Sequence, residues 1–153
     1  MNASPELFSP LLGLTVFNAQ KRSASCVSFE LTKTPDSPIQ AFQFWIEMCD
    51  WRLRDGGQEI AHSESGDEEI IAAVSKLNGR QLEAIALRCL VVPEGLTHGA
   101  TLFFERDVAI RLEGYENSIV GEEIFSARDA AGKSIRYLSD GSTEINTEAR
   151  AQL

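Results

Sequence analysis

Little in this chain advertises a ready-made chemical device. Its 153 residues include only two histidines and three cysteines. The cysteines, Cys26, Cys49 and Cys89, are odd in number and have no C-x-x-C spacing, which excludes a sequence-evident disulfide framework or zinc knuckle. No Walker loop, dinucleotide fingerprint, G-x-S-x-G elbow or H-E-x-x-H helix occurs. No apolar run approaches the ~18 residues of a membrane span, so no membrane partner is expected. The opening stretch MNASPELFSPLLGLTVF lacks a basic region and carries Glu6, so a secretory signal is not expected. Cations are scarce as well: 14 Lys and Arg stand against 23 Asp and Glu, a net charge of −9. Direct binding to nucleic acid is therefore not expected, because phosphate contacts need a basic stripe.

What remains is a globular composition. Apolar and aromatic residues make up 43% of the chain, enough for a sizeable core. The length suits a single domain over 1–153, with an ordered core of about 7–146 and frayed ends. The three cysteines read as reduced, mostly buried thiols of a cytoplasmic protein, the alternative being a nucleophilic cysteine with a histidine partner.

Hydrophobic period two dominates. LTVF and CVSFEL predict two strands. AFQFWIEMCDWRL alternates with Phe42, Phe44, Ile46 and Met48 on one face and Gln43, Trp45 and Glu47 on the other. Asp55 to Gly57 predicts a turn, after which QEIAH pairs back. QLEAIALRCLVV places Ile85, Leu87, Cys89 and Val91 on one side, and PEGLTHG is expected to be a loop. ATLFFERDVAIRLEGY predicts a hairpin turning at residues 105–107, with Val108, Ile110 and Leu112 toward the core. EIFSARDAAGKSIRYLSDGSTEI offers two or three more strands. Only GDEEIIAAVSKLNGR has helical spacing, with Ile70, Ile71, Val74 and Leu77 as its stripe and Gly79 as its stop. The expected fold is α+β: mainly antiparallel sheet, about eight to ten short strands, with one principal helix over about 66–78, packed on a sheet or closing an end.

The most charged stretch is HSESGDEEI, residues 62–70. Ser65 and Glu68 fit S-x-x-E, so a capping box is expected there, with Asp67, Glu68 and Glu69 in the first turn, where the helix dipole favours anions. The spacing matches no metal motif, and no metal or other cofactor is expected. Two windows concentrate the charge. Residues 59–69 and 113–123 hold nine acids and no Lys or Arg; the remaining 14 acids equal the 14 bases. A solvated face is the default reading of either window. The alternative is a partner surface using Glu64, Asp67, Glu68, Glu113, Tyr115, Glu116, Glu122 and Glu123, with Tyr115 as a buried anchor in an acidic rim.

The ordered pieces LLGLTVFNAQ, QFWIEMCDWRLRDGGQEI, AVSKLNGRQLEAIAL, ATLFFERDVAIRLEGYE and EEIFSARDAAGKSIRYLSDGSTEI resemble small bacterial β-rich proteins of uncharacterised function. Several of these are thought to be immunity proteins of polymorphic or contact-dependent toxin systems. The resemblance spans residues 11–145, most tellingly L-x-G-x-x-L-x-x-I at Leu77–Ile85 and L-F-F-E-x-x-x-A-I-R-L at Leu102–Leu112. It implies a stoichiometric inhibitor without catalytic residues, acting as a monomer or weak dimer on a cognate toxin domain, a basic enzyme such as a nuclease. The alternative is a small enzyme or ligand-binding protein with His62, His98 and nearby carboxylates in a cleft. A third reading is a structural subunit that docks through an exposed strand edge.

Overall fold

The structure is a computed structural model, and it describes residues 6–47, 49–93, 95–114 and 122–146. Eleven strands among the described residues form two antiparallel sheets, one more strand than expected. The first sheet has the order β1-β2-β3-β9-β10-β11, from Thr15–Lys21, Val27–Thr32, Phe42–Ile46, Glu123–Asp129, Ser134–Leu138 and Thr143–Asn146. The second has the order β5-β4-β8-β7-β6, from Gln58–His62, Asp50–Asp55, Val108–Glu113, Gly95–Phe104 and Leu82–Val92. The α+β class and its antiparallel character hold. No helix among the described residues is long and apolar enough to cross a membrane.

An aromatic ladder forms the centre of the core. Phe29 and Phe44 are register partners on β2 and β3, stacked at 4.8 Å. Phe44 stacks on Phe125 at 5.1 Å, and Phe125 meets Tyr137 at 5.4 Å. Phe104, from the second sheet, meets Phe29 edge-on at 5.9 Å, which locks the layers together. Trp51 is fully buried, and its indole N–H donates to the Ser25 carbonyl at 2.7 Å.

The stretch 41–53 is not one strand. β3 belongs to the first sheet and β4 to the second. The buried positions are Phe44 and Ile46, then Cys49, Trp51 and Leu53. The alternation thus changes phase between residues 46 and 49, because the chain crosses from one layer to the other while keeping apolar side chains inward. That phase change was present in the sequence.

The helix, α1, runs Asp67–Ser75, shorter than the expected 66–78. It packs against β1 and β5, the edge strands of the two sheets, and so closes the gap between them. Ile70, Val74 and Leu77 are buried, but Ile71 is 55% exposed. The expected capping box is displaced by one residue. Gly66 is the N-cap, and its N–H donates to the Glu69 carboxylate at 3.4 Å. Ser65 instead accepts from the His62 N–H at 3.0 Å, closing the turn before the helix. After the helix, residues 79–82 bond to the start of β1 through Gly79 N–H to Val16 O and Val16 N–H to Arg80 O, at 2.8 and 2.9 Å.

β6 and β7 form a longer hairpin than expected. Leu96, Thr97 and His98, expected in a loop, lie in β7 opposite Val91, Leu90 and Cys89. The tip outruns the facing sheet, so Val91 is 85% and Leu96 64% exposed, and Cys89 is exposed rather than buried. Lower in the hairpin, Gly99 sits between Arg88 and Glu113 in register. A Cβ there would lie 2.3 Å from the Leu112 carbonyl oxygen, a backbone atom. Gly99→Ala is therefore expected to destabilise the fold by roughly 1–3 kcal/mol through overpacking, read by urea denaturation.

Candidate functional site

Two depressions stand out, and the smaller borders the β1–β2 turn. The larger, about 580 Å³, lies on the outer face of the first sheet, lined by Gln43, Trp45, Glu47, Glu123, Ser126, Arg128, Ser134, Arg136 and Asn146. Strand register explains its shape. Ser28, Trp45, Ser126, Arg136 and Glu144 form one row across β2, β3, β9, β10 and β11. Glu30, Gln43, Arg128, Ser134 and Asn146 form the next. The small serines lower the floor between the long side chains. The second depression, about 400 Å³, is lined by Lys21, Ala24, Ser25, Ser63, Glu64, Ser65, Asp67 and Ile70.

Two neighbouring cations at the end of β1 reach different surroundings. Lys21 approaches Asp67 at 3.5 Å. Arg22 lies 5.0 Å over the Trp45 ring while its Nε donates to Ser28 at 2.6 Å.

At one end of the larger cleft, Glu47 and Glu123 line the same space at the ends of neighbouring strands. Arg136 holds Glu123 through Nε at 2.5 Å and Glu144 through Nη1 at 2.8 Å. Burial, then the hydrogen bond and charge of Glu123, push the Glu47 carboxyl up to about 7, against a smaller opposing pull from Arg136. Arg136 itself is raised, chiefly by its bond to Glu123.

The expected partner residues fall into different surroundings. Glu64, Asp67 and Glu68 are exposed at the start of α1, and Glu64 and Asp67 line the smaller depression. The window 113–123 does not supply free acids at its ends. Glu113 is bound by Arg111 at 2.9 Å, with Arg88 at 3.7 Å, because Gly99 leaves Arg88 a clear path across β7. Glu123 is held by Arg136 and lines the larger cleft. Glu122 is exposed, and its N–H donates to Ser139 at 3.1 Å. Tyr115 and Glu116 lie outside the described residues. The windows converge on the β3–β4 connection: Glu47 meets Glu123, while Asp50 pairs in register with Glu113 and accepts from Ser63 at 3.3 Å. Glu47 and Asp50 were not singled out by sequence, although Gln43, Trp45 and Glu47 were placed on one face.

His62 and His98 do not share a cleft. They stand on β5 and β7, about 14 Å apart by strand spacing. His62 lies in the outward row with Arg52, Arg111 and Thr101. His98 faces the opposite way, against Gly141, where an added Cβ would come within 2.6 Å of its ring. Among the described residues no group of three or more His, Cys, Asp or Glu is placed to hold a metal ion. Burial pushes the Cys26 and Cys49 thiols up, with Glu47 and Asp50 the next causes respectively, which is opposite to the shift of a nucleophilic cysteine. Compared with known proteins, the chain matches no family model, no curated protein and no solved structure.

The Glu47 carboxyl has a direct thermodynamic consequence. Its value is raised on folding, so its contribution to stability is full below the unfolded-state value of about 4.3 and is lost as pH rises through about 7. Glu47→Gln should therefore gain stability relative to wild type between pH 5 and pH 8, by on the order of 1–2 kcal/mol after solvent screening of this half-buried group. Paired urea melts across that range measure it; a flat difference means that Glu47 is not held protonated.

Proposed function

We propose that this chain is a stoichiometric binding protein of the immunity type, which occupies the basic active-site region of a cognate toxin through the face built around the β1–β2 turn. One observation carries the reading. Two depressions, assembled from segments far apart in sequence, carry carboxylates in their linings: Glu64 and Asp67 beside Lys21 in the smaller, Glu47 and Glu123 beside Arg128 and Arg136 in the larger. The exposed acids Glu64, Asp67 and Glu68 at the start of α1 are the part of this face that complements a cationic groove. The net charge of −9 steers such a partner from a distance. The scaffold suits the task as well, because two sheets locked by aromatic packing present the face with little rearrangement.

In this proposal the interface shifts from the 113–123 window toward Glu64, Asp67, Glu68 and the Glu47–Glu123 cleft. Glu113 serves the sheet instead, by compensating Arg88 and Arg111. The compartment consistent with this role is the cytoplasm, where a toxin of this kind would act.

The test is co-expression with the protein encoded immediately upstream in the source genome. Protection of the host cell and a one-to-one complex by light scattering are expected. Glu64→Lys combined with Asp67→Lys should slow association about tenfold at low salt and less at high salt, since peripheral charges act mainly on the on-rate. Stopped-flow kinetics at two ionic strengths measure it. No protection and no complex would overturn the binding-protein reading.

A further inference from the structure

A sheet edge presents a row of unpaired amides and carbonyls, and three of the four edges here are blunted. The β1 edge is taken by the chain leaving α1, through Gly79 and Arg80 on Val16 and through the Asn78 side chain on the Ala19 N–H at 2.9 Å. The β5 edge is flanked by α1. The β11 edge is four residues long and carries Glu144. β6 differs. Its first residue, Leu82, bonds Gly13 and Leu14, but the strand then runs on to Val92, eleven residues in all. Among the described residues no strand other than β7 lies beside it.

The outer half of β6 lacks the usual guards. Residues 84–92 hold one charged side chain, Arg88, and no proline or glycine. Arg88 is turned across its own sheet, with Nη1 3.7 Å from Glu113 and Nη2 3.3 Å from the Leu112 carbonyl. Ile85 is fully buried, but the facing layer ends beyond it. Leu87 is half-buried, Cys89 is exposed and Val91 is 85% exposed. Leu96, opposite Val91 on β7, is exposed as well. Leu87, Cys89 and Val91 share one face by alternation. A two-stranded ribbon with an apolar face is marginal by itself, and a further strand completes it.

We propose that β6 pairs antiparallel with β6 of a second copy of this chain across a two-fold axis, joining the two five-stranded sheets into one. A strand edge is self-complementary under such an axis, since each copy presents the same alternation of donors and acceptors. The available run fixes the register. It extends from Ala86, after the buried Ile85, to Val92, because Pro93 has no amide to donate. Its midpoint is Cys89, so Cys89 faces its twin, and Leu87 faces Val91 of the other copy. The apolar strip of one copy then continues into that of the other, with Leu96 flanking each end. Arg88 falls opposite position 90, so the two arginines do not face each other, and no acid lies within the paired run although each copy carries a net −9. A strand pair of this length is a small interface, below the ~1,200 Å² of standard assemblies, so the dimer is weak and reversible. β6 and β5 are opposite edges of their sheet, so the Glu64 and Asp67 face of each copy stays open. The inference therefore stands apart from the partner reading.

Sedimentation velocity of the full-length protein over a concentration series tests this pairing. Association with a dissociation constant on the order of 10–100 µM is expected of so small an interface. Amide exchange in residues 86–92 should slow as the concentration rises. Val91→Lys, which puts a charge on an exposed edge position, should weaken the dimer by about tenfold or more and leave the melting curve unchanged. Ile145→Lys, equally exposed but on the β11 edge, should leave the dimer intact. A short bismaleimide should join the two copies through Cys89, the other two thiols being buried. Cys89→Ser combined with Val91→Cys should not be joined, because the two copies of position 91 stand ~13 Å apart along the strands. The proposal is overturned if the protein stays monomeric about tenfold above the expected range, if Val91→Lys associates as the wild type does, or if cross-linking runs through position 91 in place of Cys89. Amides of 86–92 that gain protection only from the cognate toxin would give this edge to the toxin and overturn the self-pairing as well.

Discussion

Everything else in the molecule hangs on the stack of rings that crosses the first sheet. Phe29, Phe44, Phe125 and Tyr137 come from four neighbouring strands, and Phe104 reaches them from the other layer. Each of these side chains fixes the inward phase of its strand, and a strand shifted by one residue would present the wrong face. With the inward phase fixed, the outward rows follow without further choice. Trp45, Ser126 and Arg136 are neighbours on the outer face because Phe44, Phe125 and Tyr137 are neighbours on the inner one. The candidate site is in that sense the reverse side of the core.

The sequence carried much of this plainly. Period-two alternation gave the strands, and the turns at residues 55–57 and 105–107 were visible from their glycine and polar residues. Two errors have a common cause. The alternation of 41–53 and of 85–91 was read correctly as strand, but alternation says nothing about what lies opposite. One stretch crosses between layers, and the other runs past the end of the facing sheet, leaving Val91 and Leu96 in solvent. The capping box failed for a local reason. Ser65 fits the cap pattern, yet its hydroxyl serves the His62 turn, and Gly66 starts the helix with no side chain of its own.

Charge was legible as composition but not as pairing. The count placed an excess of acids in two windows. Only the sheet register showed that Arg88 crosses from β6 to Glu113, beside its own-strand partner Arg111, and that Arg136 holds Glu123 from β10, while Glu47, which lies in neither window, stands in the same cleft. The two cross-strand pairings join residues 25 and 13 positions apart, and no local pattern reports them. For the same reason the two histidines, equally plausible as partners on paper, fall on opposite faces of one sheet.

The connection between β3 and β4 has a consequence for how this fold tolerates change in chain length. Ile46 and Cys49 both point inward, so the segment between them must flip the phase of the strand once. Insertion or deletion of a single residue there would turn Trp51 and Leu53 to solvent, or pull Glu47 away from Glu123. The β6–β7 tip is free of this restriction, since residues added in pairs preserve its alternation and meet no opposing layer. Variation in length among chains of this fold should therefore collect at the hairpin tip and be absent from the crossing, so that the crossing is a fixed ruler against which the cleft keeps its width.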